Sequence, residues 1–383
     1  MSNDQEERDT VLMFGIGKLA GPVLDVLASK YPAHRYVFIS RSRERSARRA
    51  NLTKYLAAQL GSFPDVYAEE SDLLDTHRTA ELLSRYRPSI VFNATTPFAW
   101  WKLDSLPARE RELSNRAGPG MWSALDCLLP LKLTQGIHQS GVRPFFVNAC
   151  YPDMTNAFLS AYESAPTVGI GNISNLVPGI RLAFAAEWQE RPEAIEVQLV
   201  GHHYLSWNAP TPTGSGSAPY DLTITSPTRR VRYRGPEDEP FRILRLHATR
   251  VRGLEGLGVT VGSATSVVSS LLERRAQRHH CPGALGLPGG YPVVIDKERS
   301  VSLDLPAELS RDEAINVNEL SQLLDGVGAV SPGNVLASPS AQNAYKELFG
   351  EDLPLITEAN LERVARSTIE QLRYKYSIDI TLQ

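Results

Sequence analysis

A short apolar run that ends in a glycine-rich turn constrains the fold of this chain more than any other stretch. Residues 11–14 are apolar, and they lead into the motif Gly15-x-Gly17-x-x-Ala20, after which a helix-like stretch begins. In such a unit the first glycine permits a tight turn, the second lets the backbone approach a phosphate, and the small third residue allows close packing. Ordinary strand-to-helix turns use the same glycines, so only the pattern of the rest of the chain can indicate whether this turn binds a phosphate. The residues expected to hold a pyrophosphate at this helix N-terminus are Gly15, Gly17, Lys18 and Leu19.

Strand-like and helix-like runs then alternate through the first half of the chain. The later strand-like runs are residues 36–40, 65–68, 88–93, 144–149 and 167–171. Alternation at a spacing of about thirty residues favours right-handed βαβ units and a parallel sheet. We therefore predict an α/β fold in which a doubly wound parallel Rossmann sheet is followed by an α+β substrate domain. The expected parts are a disordered tail (1–9), the Rossmann domain (10–176) and the substrate domain (177–383).

The end of the second predicted strand indicates which dinucleotide the site would take. NAD sites usually place Asp or Glu here to accept hydrogen bonds from the ribose hydroxyls. In this chain the strand ends at Ser40, and Arg41 and Arg43 follow. A guanidinium pairs well with a 2′-phosphate, and no carboxylate stands in this stretch to repel it. The sequence therefore predicts NADP, bound by Ser40, Arg41 and Arg43; the alternative is that residues 41–49 form a solvated helix face.

Two further strand ends carry residues that would face the same ligand. Asp72 follows the third predicted strand, where an acidic side chain often lies beside the adenine ring. A helix cap by Asp72 or Asp75 is the alternative. The fourth strand ends in the small polar stretch Asn93, Ala94 and Thr95, which we expect to contact the nicotinamide at the carboxyl edge of the sheet.

Composition narrows the classes of function. A formal net charge of −3 gives no support to binding of nucleic acid or an anionic membrane, and no apolar run is long enough to span a bilayer. The three cysteines (Cys127, Cys150, Cys281) are far apart and form no CxxC pair, which fits buried thiols in a reducing cytoplasm. Residues 2–9 are polar and acidic, the opposite of a secretory signal. We expect a cytoplasmic protein without a metal site.

Several motifs of the middle of the chain occur in a familiar order. Asn148-Ala-Cys-Tyr-Pro-Asp153 precedes a glycine-rich strand and a helix with Arg181, and an alternating strand then leads into Gly201-His-His203. Ser263-Ala-Thr265-Ser266 follows later. This order resembles the lactate/malate dehydrogenase superfamily, which also contains an NAD-dependent glycosidase branch. The resemblance implies that His203 transfers the proton, Arg181 clamps an anionic substituent and Thr265 lines the substrate pocket.

The same three residues also have structural interpretations. His203 could be a hydrogen-bonded residue at a strand end, Arg181 could form a salt bridge on a helix face, and Thr265 could cap a helix. The chain also departs from the family pattern. The family's Asp that orients the catalytic His should fall near residues 177–178, where no carboxylate stands, and the expected Arg is replaced by Phe98. Residues 65–97 are separately similar to saccharopine-dehydrogenase-type Rossmann domains.

These observations predict an NADP-dependent oxidoreductase that transfers a hydride to or from a small substrate, expected to be anionic. The reacting carbon would bear oxygen or nitrogen. One alternative is a lyase or glycosidase-like enzyme that uses bound cofactor for transient oxidation. Another is a catalytically silent NADP-binding regulator, which the missing carboxylate favours. The expected partner is a small-molecule substrate, without nucleic acid or membrane, and homo-oligomer formation is left open.

Overall fold

Six parallel strands form the sheet that carries the glycine turn. The computed structural model describes residues 8–97, 99–212, 214–251, 253–378 and 380, so Phe98 and most of the predicted tail lie outside the described residues. The strands are β1 (Thr10–Phe14), β2 (Arg35–Ser40), β3 (Asp65–Glu70), β4 (Ile90–Asn93), β5 (Phe145–Asn148) and β6 (Val168–Gly169). Their order in the sheet is β3-β2-β1-β4-β5-β6. The order reverses between β1 and β4, which is where ligands bind in sheets of this kind.

Helices connect these strands and cover the sheet. They are α1 (Ala20–Lys30), α2 (Arg43–Gln59), α3 (Thr76–Tyr86), α4 (Ala108–Ala117), α5 (Ser123–Ser140) and α6 (Pro152–Leu159). Every residue of β1, β4 and β5 is buried. Burial of successive side chains, which point to opposite faces, requires cover on both faces and explains the continuous apolar runs in the sequence.

A second, antiparallel sheet follows in the chain. Its region comprises α7 (Val177–Trp188), β7 (Glu196–Gly201), α8 (His203–Asn208), β8 (Tyr220–Thr225), β9 (Arg230–Arg234), α9 (Glu239–His247), α10 (Leu257–Leu272), β10 (Gln277–Pro282), β11 (Gly290–Ile295) and β12 (Val301–Leu303). The strand order is β10-β11-β7-β8-β9, and β12 pairs with β11. The predicted class, a doubly wound parallel sheet followed by an α+β region, is confirmed.

The strand-like composition of residues 241–248 predicts a further strand in this region, but this prediction is wrong, because residues 241–247 belong to α9. The buried residues Phe241 and Leu244 are three positions apart and fall on one side of a helix. Pro240 lies in the first turn, where its missing N–H costs nothing, and Glu239 suits the positive end of the helix. These start signals outweigh the β-prone composition.

The remaining residues pack back onto the first half of the chain. They form α11 (Arg311–Gln322), β13 (Val327–Ser331), β14 (Asn334–Ala337), α12 (Pro339–Phe349), β15 (Ile356–Thr357) and α13 (Glu358–Tyr376). The sequence predicts a capping box of Ser310 and Glu313, and this capping box begins α11. A single apolar cluster joins Leu125 and Phe158 of the first half to Val327 and Leu361 of the second. The boundary at residue 177 therefore stays a prediction.

The segment just before β1 is part of the folded structure. Asp9, which the sequence assigned to the tail, is buried, and its carboxylate lies 2.6 Å from a guanidinium nitrogen of Arg299. Its carbonyl oxygen accepts a hydrogen bond from the backbone N–H of Arg35. A buried charge needs such a partner, and this pair ties the start of the first sheet to the second half of the chain.

Candidate active site

The two glycines of the opening turn have different roles. Gly15 has φ +100°, and a Cβ there would lie 2.8 Å from the carbonyl oxygen of Ala94, so this residue lets the turn pack against the end of β4. A Cβ at Gly17 would meet nothing within 4 Å, which leaves open space at the start of α1. Lys18 beside it is exposed, and Leu19 is partly buried. The turn thus provides an unobstructed cradle at a helix N-terminus.

The end of β2 combines basic side chains with a carboxylate. The hydroxyl of Ser40 lies 2.7 Å from that of Ser46, and Arg41 and Arg43 are exposed. The sequence indicated no carboxylate here, but β3 supplies one: Glu70 accepts a hydrogen bond of 3.0 Å from the backbone N–H of Arg43. Strand pairing places Glu70 next to Ser40, although a whole helix and strand separate the two residues in the sequence.

The other predicted cofactor residues form hydrogen bonds within the protein. Asp72 accepts from the backbone N–H of Leu74, whereas Asp75 caps α3 by accepting from that of Arg78. The amide of Asn93 is buried and donates to Asn148, and the carboxamide oxygen of Asn93 accepts from Thr95. These bonds hold the ends of β4 and β5 together and leave Ala94 beneath the glycine turn.

A carboxylate does contact both histidines, but it belongs to Asp325 and not to residues 177–178. Its Oδ2 lies 2.6 Å from Nδ1 of His202, and both of its oxygens lie 3.2 Å from Nδ1 of His203. His202 follows β7, and His203 begins α8 rather than ending the strand as predicted. Burial would raise the pKa of Asp325, but the charges and hydrogen bonds of the two histidines hold it well below its usual range.

Backbone packing positions Asp325. It lies just before β13, and Gly326 follows it with φ +81°. A Cβ at Gly118 would lie 2.5 Å from the Asp325 carbonyl, and one at Gly120 would lie 2.2 Å from Gly326. The turn between α4 and α5 therefore contacts the Asp325 backbone directly, because two glycines leave room for it.

Two more carboxylates act on His203. Asp153, in the first turn of α6, is buried and accepts hydrogen bonds from the backbone N–H of His203 at 3.0 Å and from the amide of Asn172. Asp126 lies on α5, and its Oδ1 is 4.0 Å from the thiol sulfur of Cys150. Burial raises the pKa of Asp126 to about 7, although the charge of His203 opposes the shift. Asp153 thus contacts the backbone of His203 directly, whereas Asp126 acts on the imidazole through its charge.

These carboxylates set the protonation of His203. Burial lowers the pKa of its imidazole, but Asp325, Asp153 and Asp126 outweigh burial and raise that pKa to about 8. With Nδ1 facing Asp325, Nε2 is the nitrogen left for proton transfer. An imidazolium near its pKa at neutral pH can both donate and accept a proton.

A line of aromatic side chains joins this histidine to the glycine turn. The ring of Trp207 stacks on His203 with a centroid separation of 6.4 Å, and Trp100 lies 5.8 Å from Trp207. Trp101 contacts Trp100 at 5.7 Å, and the amine of Lys18 lies 5.4 Å from the Trp101 ring. The Trp100–Ser105 turn follows β4, and its tryptophans lie between the predicted cofactor turn and the histidine.

The other two predicted catalytic residues have other neighbours in the structure. Arg181 is exposed on α7, and the group on which its charge acts is His280. Thr265 is in the middle of α10, which begins at Leu257, so the alternative that it caps the helix is wrong. Thr265 lines a groove of about 430 Å³ together with Lys30 of α1. None of the contacts among the described residues joins Arg181 or Thr265 to His203.

Sequence reasoning missed Asp325 and Asp126. Asp325 is 122 residues from His203 in a short Leu-Leu-Asp-Gly stretch, where nothing local signals a catalytic partner. Asp126 did carry a signal, since it is a lone carboxylate within the apolar run Leu125–Leu129 of α5.

In the part of the chain that the structure describes, no group of three or more His, Cys, Asp or Glu side chains is placed to hold a metal ion. No helix of that part is long and apolar enough to cross a membrane.

Comparison with solved structures shows the fold of lactate and malate dehydrogenases. The malate dehydrogenase of Picrophilus torridus aligns with a TM-score of 0.54 at 14% identity, over 83% of this chain and 96% of that chain. The malate dehydrogenase of Plasmodium falciparum aligns with a TM-score of 0.54 at 10% identity, over 88% and 98%. The lactate dehydrogenase of Eimeria maxima, solved with NADH and oxamate, gives 0.53 at 13%, over 83% and 92%. No protein-family model and no curated protein matches the sequence. The resemblance inferred from the motif order is confirmed at the level of fold, and the saccharopine-dehydrogenase likeness stays a prediction.

Proposed function

We propose that the chain is an NADP-dependent dehydrogenase or reductase of a small hydroxy or carbonyl compound. The observation that carries the proposal is the pairing of His203 with Asp325 at one end of an aromatic line whose other end is the glycine turn. A proton-transfer group and a dinucleotide cradle at the same edge of a doubly wound sheet are what such chemistry requires. The fold neighbours include enzymes solved with NADH, which supports a nicotinamide cofactor.

The described residues fit such a cofactor. The open space at Gly17 suits a pyrophosphate at the N-terminus of α1, where Lys18 adds a positive charge. Arg41 and Arg43 stand at the end of β2, where a 2′-phosphate would lie. A bound nicotinamide supplies the hydride acceptor or donor. Glu70 lies at the same edge, and a carboxylate there favours NAD. The relative affinity of the protein for the two cofactors therefore has to be measured.

His203 handles the proton of the reaction. In oxidation of an alcohol Nε2 would take the hydroxyl proton, while a bound nicotinamide would accept the hydride from the same carbon and leave a C=O bond. In reduction Nε2 would return the proton to the oxygen, and the nicotinamide would supply the hydride. Asp325 holds the imidazole by Nδ1 and stabilises the charged form. A pKa of about 8 keeps His203 protonated at neutral pH, which favours reduction of a carbonyl.

The contact between Asp325 and His203 bears on the two alternative functions. A silent NADP-binding regulator was favoured by the missing orienting carboxylate, and Asp325 removes that reason. A lyase or hydrolase that oxidises its substrate transiently would consume no net cofactor. Net turnover of NADPH therefore separates a dehydrogenase from such an enzyme.

The test is a screen of small carbonyl compounds for oxidation of NADPH by the wild type and by His203→Ala. Loss of about 10²–10⁴-fold in turnover with cofactor binding intact is expected of a general acid. His247→Ala, which removes an exposed histidine of α9 paired with Glu187, is the matched control and should leave turnover unchanged. Unchanged turnover in His203→Ala would overturn the assignment of the proton-transfer residue.

A further inference from the structure

The histidine that binds Asp325 most closely is not the one assigned to proton transfer. Nδ1 of His202 lies 2.6 Å from Oδ2 of Asp325, whereas Nδ1 of His203 lies 3.2 Å from the same oxygen. His202 is completely buried, and only the side chain of His203 is partly exposed. Two imidazoles therefore share one carboxylate oxygen, and the shorter contact belongs to the imidazole that no substrate can reach.

This contact indicates which nitrogen of His202 carries the hydrogen. An ionised carboxylate only accepts hydrogen bonds, so the hydrogen between the two groups lies on Nδ1 of His202. The other ring nitrogen, Nε2, is buried and makes no hydrogen bond with the described residues. A second proton on Nε2 would leave a charged N–H group buried and unpaired, which costs more than an unpaired neutral acceptor. The geometry therefore favours a neutral His202 that donates through Nδ1.

Other titratable groups face the two imidazoles from neighbouring elements. Asp153 of α6 accepts a hydrogen bond from the backbone N–H of His203, and Asp126 of α5 acts through its charge. The ring of Tyr151, just before α6, lies edge-on to both histidines. Burial, followed by the charge of Asp325, raises the pKa of Tyr151 well above its usual range, so its hydroxyl stays neutral near pH 7. Because these three groups remain in any variant of residue 202, they affect each titration of His203 alike.

We propose that His202 is a positioning residue for proton transfer: its neutral imidazole donates a hydrogen bond that holds Asp325 and limits the negative charge acting on His203. The inference rests on the proposed function, since it concerns the residue to which the proton is assigned. The hydrogen bond stabilises the carboxylate from the His202 side, so less of its charge is left to stabilise the imidazolium of His203. The pKa of His203 thereby stays at about 8, close enough to neutral pH for the ring to donate and accept a proton.

His202→Phe tests the proposal, because it keeps an aromatic ring in the interior but has no N–H group to donate. The full charge of Asp325 should then act on His203, and we expect its pKa to rise from about 8 by at least about 0.5, a three-fold or larger gain in proton affinity. NMR titration of the His203 ring nitrogens measures this without cofactor or substrate. His202→Leu carries the same expectation if His202→Phe does not fold. An unchanged pKa of His203 in a folded variant of this kind would overturn the proposal.

His202→Asn distinguishes a neutral donor from a charged one and from a ring that only fills space. The amide nitrogen of asparagine lies at about the same distance from the backbone as Nδ1 of histidine, and it can donate to Asp325 without carrying charge. The pKa of His203 should therefore stay near about 8 in this variant. A rise as large as that in His202→Phe would show that His202 acts through a positive charge, and the neutral donor would be wrong.

His279→Phe is the matched control, because it removes another buried histidine, whose Nε2 lies 3.0 Å from the hydroxyl of Ser270. It should leave the pKa of His203 unchanged, and a rise equal to that in His202→Phe would contradict a specific role of His202. Turnover gives a second measurement: in His202→Phe the pH above which carbonyl reduction declines should move upwards together with the pKa of His203. Absence of turnover in the wild type would contradict the proposed function and leave the NMR result unaffected.

Discussion

Both carboxylate oxygens of Asp325 lie 3.2 Å from Nδ1 of His203, across 122 residues of sequence. The same carboxylate lies 2.6 Å from His202, so one acidic group serves two adjacent imidazoles. His202 is fully buried, whereas about a quarter of the His203 side chain is exposed. Asp325 therefore holds His202 in the protein interior, whereas part of the His203 side chain can be reached from solvent.

Asp325→Asn should lower the pKa of His203 from about 8 towards or below its ordinary value. The amide keeps the shape of the carboxylate but no longer favours the imidazolium, and burial then dominates. NMR titration of the His203 ring nitrogens measures the change without any substrate. An unchanged His203 pKa in a folded variant would show that Asp325 does not control this residue.

The pH dependence of catalysis should follow the raised pKa of His203. Carbonyl reduction needs the protonated imidazole, so its rate should be constant below pH 7 and fall about ten-fold per unit above about 8. Because the folded pKa exceeds the ordinary value of about 6.5, the stabilising contribution is complete below that value and is lost as the pH rises through 8. Steady-state rates from pH 5 to 10, with unfolding temperatures over the same range, give both profiles. A reduction rate that rises above pH 8 would contradict the role of His203.

NADPH should bind much more tightly than NADH, and Arg41→Ala should remove most of the difference. Arg41 and Arg43 lie where the 2′-phosphate is expected, and a charge-assisted pair contributes about 1.5–3 kcal/mol, or roughly ten- to a hundred-fold. Fluorescence titration of both cofactors measures it. Glu70→Gln separates the alternatives: it should leave NADPH affinity equal or higher, whereas a weaker affinity for NADH would identify Glu70 as a ribose ligand and favour NAD.

The two glycines of the turn should respond differently to the same added methyl group. Gly15→Ala forces a Cβ to within 2.8 Å of the Ala94 carbonyl at φ +100°, so we expect a loss of about 1–3 kcal/mol in stability. The Cβ that Gly17→Ala adds meets no atom within 4 Å, so this variant should unfold at the same temperature as the wild type. The added methyl group should nevertheless weaken cofactor binding at least ten-fold. Each variant is the control for the other. If Gly17→Ala binds the cofactor as tightly as the wild type does, the pyrophosphate does not bind at this turn.

The sequence predicted the parallel sheet well because its evidence is local. The apolar runs of β1, β4 and β5, and the motif around Gly15, each report burial or turn geometry within a few residues. The candidate site was predicted only in part, because its geometry depends on contacts between distant segments. Asp325 and Glu70 reach their neighbours through tertiary packing and strand pairing, which no local pattern encodes. The motif order pointed to His203 as the proton-transfer residue, which stays a prediction, but it could not show that Arg181 lies on an exposed helix face.

The late position of Asp325 in the chain has a consequence for synthesis. A nascent polypeptide that has emerged from the ribosome only as far as β12 already contains the glycine turn, the first sheet and both histidines. It lacks the carboxylate that orients them, together with the Gly326 backbone on which the turn after α4 packs. The apolar cluster that joins the first half of the chain to the elements after β12 is incomplete at this stage as well. If His203 transfers the proton as proposed, that chemistry becomes available only after the segment with Asp325 has packed against the histidines.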